Sequence, residues 1–183
     1  MGELKSAWEI AQEKADRLGR LSAEEEAQQR KERCRQAGQV VAKKWLDSSG
    51  EVDIAAELNR YGEEEKGMIR QSMIDCLVEA IDFNSSSGLV KAIQGIASLE
   101  PKSQPVIEGI TRLVQEYEQA ESKTRRELQG PYREILHELR ISGTAVGDIN
   151  VEATPQWQQS QRRSIEALEP RLNELKQELV ELC

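Results

Sequence analysis

The sequence predicts an all-α protein, a multi-helix bundle with long amphipathic helices at its N- and C-terminal ends. Apolar residues recur at intervals of three and four along most of the chain, acidic residues open several of these segments, and clusters of glycine, serine and proline separate them. Only the stretch from 141 to 153 has neither a helical period nor a high charge density. We expect one ordered, non-helical loop there.

Residues 1–47 are predicted to form an N-terminal helical arm. A stripe from Leu4 to Leu18 indicates a first amphipathic helix, and Ser22 with Glu25 has the pattern of a capping box that starts a second one. Between 24 and 36 this second helix is almost entirely Glu, Gln, Arg and Lys. Its first half can bury very little, so we expect it to project into solvent or to lie on a partner.

Residues 48–140 are predicted to form the helical core. Breaks at 47–50 and 84–88, rich in serine and glycine, separate short helices that are hydrophobic on much of their surface. The segment from Ile54 to Leu99 has two apolar residues per turn over part of its length, which is typical of a well buried element. We therefore place the centre of the core there.

A long helix is predicted to follow Pro105 and to be interrupted at Gly130 and Pro131. Proline lacks the amide donor and crowds the preceding turn, which costs about 3 kcal/mol inside a helix. A further helix is expected from Tyr132 to Arg140.

The connection predicted at 141–154 is longer than the 2 to 8 residues, roughly, that link helices in bundles, and it is apolar. Connections of this kind either pack against the body of a protein or belong to a binding surface. The hypothesis is that the stretch from Ile141 to Trp157 contacts a partner, with Ile149 and Trp157 as its anchors. The alternative is a structured link between two helices.

Residues 155–183 have the most regular period in the chain and predict a C-terminal helix like that of a coiled coil. Pro170 falls off the apolar seam, so we expect it to kink this helix without ending it. The seam is expected to pack on the arm or on a second copy of the chain in a homodimer. Its candidate partner-contact residues are Leu168, Leu172, Leu175 and Leu179.

The single histidine, His137, is the one residue that suggests site chemistry. Glu134 lies one helical turn before it, the Glu-x-x-His spacing of di-iron helical bundles. Those sites need two such pairs and two further carboxylates, so only a symmetric dimer of this chain could supply a second histidine. A metal-binding or enzymatic bundle that uses Glu134 and His137 is thus an alternative to a solvated histidine beside an apolar stripe, and we expect no cofactor.

The charge balance argues against nucleic acid as the main partner. Asp and Glu number 33 against 25 Lys and Arg, a net charge of −8, whereas phosphate neutralisation needs a basic surface. A cluster at Arg30, Lys31, Arg33 and Arg35 is broken by Glu32 and spread around a helix. Because of this basic cluster, a nucleic-acid-associated regulator is the second alternative function.

The remaining composition favours a reduced, water-soluble protein. The three cysteines form no disulfide framework or zinc motif, and no run approaches the ~20 apolar residues of a membrane span. We expect a cytoplasmic location without membrane contact. The leading prediction is a non-enzymatic protein that acts by protein–protein interaction, as an assembly, adaptor or co-chaperone-like factor.

Overall fold

The computed structural model describes residues 8, 22–48, 53–141 and 150–182. Within these ranges it contains six α-helices, one 3-10 turn and no strand, so the all-α prediction is confirmed. Among the same residues, no helix is both long enough and apolar enough to cross a membrane. The helices are α1 (Ala23–Asp47), α2 (Ile54–Leu58), α3 (Glu63–Glu79), α4 (Ser86–Leu99), α5 (Gln104–Glu138) and α6 (Pro155–Leu182), with the 3-10 turn at Pro101–Ser103.

The chain divides into two compact units, Met1–Met73 and Ile74–Cys183, with the boundary inside α3. The helix predicted before residue 20 lies outside the described residues, apart from the exposed Trp8. The predicted division into arm, core, loop and C-terminal helix stays a prediction.

In the first unit, α1 begins at the predicted capping box. The Ser22 amide donates to Glu25 Oε2 at 2.8 Å, and the Glu25 amide donates to Ser22 Oγ at 3.2 Å. All residues from 22 to 33 are exposed, as their polar sequence requires. Burial of α1 starts only at Cys34, where loss of hydration raises the pKa of the thiol.

The buried face of α1 packs closely against α3 within the first unit. Gly38 is in contact with Ser72, and Ser72 Oγ donates to the Arg35 carbonyl at 2.7 Å. A methyl group on Gly38 would lie only 2.7 Å from the Ile69 carbonyl oxygen. Glycine therefore permits the close approach of the two helices at this point.

In the second unit, the end of α3, α4, the 3-10 turn and the start of α5 share an apolar core. Ser103 is fully buried in the 3-10 turn, where its hydroxyl donates to the Glu100 carbonyl at 2.5 Å. The buried apolar side chains of these elements, and of the link between α3 and α4, include Ile74, Leu77, Ile81, Leu89, Ala92, Ile96, Val106, Ile107, Ile110 and Leu113.

Helix α5 is continuous over 35 residues, and the predicted interruption at Gly130 and Pro131 is wrong. Proline at 131 leaves the carbonyl of Glu127 without its usual helical donor. Both Glu127 and Pro131 are exposed, so water can hydrate this carbonyl and the helix can continue. The separate helix predicted from Tyr132 is the last part of α5.

Helices α5 and α6 form an antiparallel hairpin. Gly109, near the start of α5, lies against Leu175, near the end of α6: a methyl group at Gly109 would be 3.2 Å from Leu175 Cδ2. Further along α5, Thr124 Oγ1 and Ser160 Oγ are 3.0 Å apart. Pro170 lies within α6 at an exposed position, and the helix continues through it as predicted.

Candidate protein-contact surface

Helix α5 extends beyond the end of its hairpin partner. Thr124 lies opposite Ser160, so Pro155, the first residue of α6, lies opposite about Gln129 in an antiparallel pair of helices with equal rise. The residues after this point, 130–141, have no part of α6 beside them. We call them the helix tail.

The helix tail ends in a Schellman motif, which fixes where α5 stops. The Ile141 amide donates to the Leu136 carbonyl at 2.9 Å, and the Arg140 amide donates to the His137 carbonyl at 3.0 Å. Arg140 has a φ of 55°, the left-handed conformation usually taken by glycine at this position. The tail is therefore an ordered helix end with a defined cap.

Large apolar side chains are exposed along the helix tail. Tyr132 is 39% exposed, Ile135 51%, Leu139 63% and Ile141 48%. Tyr132, Ile135 and Leu139 fall within an arc of about 60° on a helix of 3.6 residues per turn. These three residues form one apolar surface, which we call the tail face, and Ile141 is exposed just after the helix cap. Clustered exposed apolar residues of this kind mark interaction sites more often than scattered ones do.

The tail face continues the side of α5 that contacts α6. The Arg125 guanidinium stacks over the Trp157 ring, 5.1 Å from its centroid. Tyr132 and Leu139 follow Arg125 at intervals of seven residues, so they occupy the same side of the helix. The side that α6 covers in the hairpin is thus left uncovered by α6 in the tail.

Charged residues of the helix tail lie mainly on the side away from the tail face. At about 100° per residue, Arg126, Arg133 and Glu134 lie about 130° or more from the centre of the face, and Glu138 lies about 90° from it. A shallow depression of about 360 Å³ is lined by Arg133, Glu134, His137 and Glu138 on the side away from the apolar surface. The side of the tail opposite the tail face therefore carries charges of both signs.

The hairpin that supports the tail is held by polar as well as apolar contacts. The Tyr117 hydroxyl donates to Gln161 Oε1, and its ring lies 5.0 Å from that of Phe83. Burial raises the pKa of Tyr117, and the charge of Glu121 acts in the same direction. Arg125 also donates to Glu152 at 2.8 Å. These contacts order α5 up to the start of the tail.

The partner-contact residues predicted on α6 face the interior of the second unit. Trp157, Leu168, Leu172 and Leu179 are buried and Leu175 is half-buried. Within the second unit, their neighbour is α5 of the same chain. The predicted packing of this seam on the arm or on a second copy stays a prediction. Ile149 lies outside the described residues.

The two predicted metal ligands, Glu134 and His137, are both exposed on the helix tail. Among the described residues, no group of three or more His, Cys, Asp or Glu side chains is placed to hold a metal ion. A metal site built from two copies of this pair stays a hypothesis.

Sequence reasoning missed Tyr132, Ile135 and Leu139 as a surface. The signal was present, since these residues have helical spacing, but a break at Pro131 was expected to separate them from the hairpin. Because α5 is continuous over 35 residues and α6 has 28, the C-terminal end of α5 extends beyond α6.

Fold and surface together define an all-α protein whose second unit is built on a helical hairpin with a projecting, apolar helix end. The chain belongs to a family of unknown function, DUF6657, whose family profile matches residues 55–181. This match includes α5, the helix tail and α6 up to Glu181. Comparisons with curated proteins and with solved structures found no match.

Proposed function

We propose that this protein acts by protein–protein interaction, as an adaptor or assembly factor, and that the helix tail is its contact surface. The observation that carries the proposal is the tail face, with three large apolar side chains exposed on one side of a helix end. A second copy of the chain and a different protein are both candidate partners.

Two properties of the tail support a binding role. It is an ordered helix with a Schellman cap, so a partner would not have to order it first. Its apolar residues lie on one side with the spacing by which an amphipathic helix packs into a groove or against another helix. Ile135 and Leu139 are both largely exposed, so we expect their side chains to contribute little to the stability of the hairpin.

The proposal is tested by the size of the protein in extracts of cells that make it. We expect the native protein to elute in a complex larger than the single chain, and the double variant Ile135→Glu, Leu139→Glu to elute as the single chain with unchanged helicity. Two charges in the apolar centre would remove the burial that drives association.

The matched control is the double variant Val180→Glu, Leu182→Glu. Both residues are exposed apolar side chains of α6, so the same chemical change is made outside the tail. This control should elute with the native protein. If the tail variant also elutes with the native protein, the proposed contact surface is wrong.

A further inference from the structure

We draw no further inference here: the strongest candidate, the exposed apolar tail face near the end of α5, is the surface already proposed for protein contact, and nothing in the described part of the chain shows what covers it.

Discussion

Arg140 shows how a single residue defines the end of the helix tail. Its φ of 55° places an arginine in the conformation that glycine adopts at the end of many helices. For a residue with a Cβ this conformation is less favourable, by about 1–2 kcal/mol. The Schellman hydrogen bonds of Arg140 and Ile141 offset this cost and keep the cap in place.

We therefore expect Arg140→Gly to stabilise the protein by about 0.5–1 kcal/mol, since glycine removes the strain at that position. The measurement is urea unfolding followed by circular dichroism. Arg133→Gly, seven residues earlier and inside α5, is the matched control and should destabilise by about 1 kcal/mol. A loss of stability in Arg140→Gly would show that the left-handed cap is not formed.

Gly38 illustrates the opposite situation, in which a glycine is required by packing. A Cβ at this position would lie 2.7 Å from both the Ile69 carbonyl oxygen and Ser72 Cβ. Gly38→Ala should therefore destabilise the first unit by about 1–3 kcal/mol, because backbone atoms must move. A methyl group at Gly67, in α3, would meet no atom within 4 Å, and Gly67→Ala should stabilise by about 1 kcal/mol. If the two substitutions have equal effects on the free energy of unfolding in urea, α1 does not pack closely on α3 at Gly38.

At the scale of elements, α5 changes its environment along its length. Val106, Ile107, Ile110 and Leu113 at its start are buried, the middle is half-buried against α6, and the tail is exposed. Its first turns stabilise the second unit, whereas its last turns carry exposed apolar side chains. The start of α5 is therefore part of the core, and the end of the same helix is a candidate binding surface.

Two leucines of the hairpin should show this difference in stability. Leu172→Ala, at a buried position of α6, should cost about 2–5 kcal/mol because it removes buried methyl groups and leaves a cavity. Leu139→Ala, on the tail face, should change the free energy of unfolding by no more than about 0.5 kcal/mol. Thermal or urea unfolding of the two variants makes the comparison. A large loss in Leu139→Ala would place this side chain in the core and remove it from the proposed surface.

The helices that the sequence predicted well are those with local signals. Ser22 and Glu25 indicated the start of α1, and the heptad period from Leu168 to Leu179 indicated α6, because capping and amphipathic spacing depend on neighbouring residues. The helix break predicted at Pro131 is wrong because the cost of a proline inside a helix falls when the carbonyl that it leaves without a donor is exposed to water. Exposure depends on tertiary packing, which a local pattern does not contain.

The candidate site could not be predicted for a related reason. Ile135 and Leu139 have the spacing of a core stripe, and nothing local distinguishes a covered stripe from an uncovered one. The difference comes from the register of the hairpin, which places the start of α6 opposite about Gln129. The same holds for the leucines of α6, whose period predicts a partner helix without saying which one.

At the scale of the whole molecule, the residues that stabilise and the residues that are proposed to bind are separate. The buried side chains of the hairpin are fixed by the fold, whereas the side chains of the tail face are exposed. The family match extends over residues 55–181 and so includes both. Substitutions on the tail should therefore alter association without unfolding the protein.

Site-specific photocrosslinking at Leu139 tests this account most directly. With a benzoylphenylalanine at 139 in cells that make the protein, we expect a discrete crosslinked product. Benzoylphenylalanine in place of Glu166, an exposed position of α6, should give no crosslinked product. If Leu139 gives no product, or if the products at 139 and 166 are the same, the helix tail is not a specific contact surface.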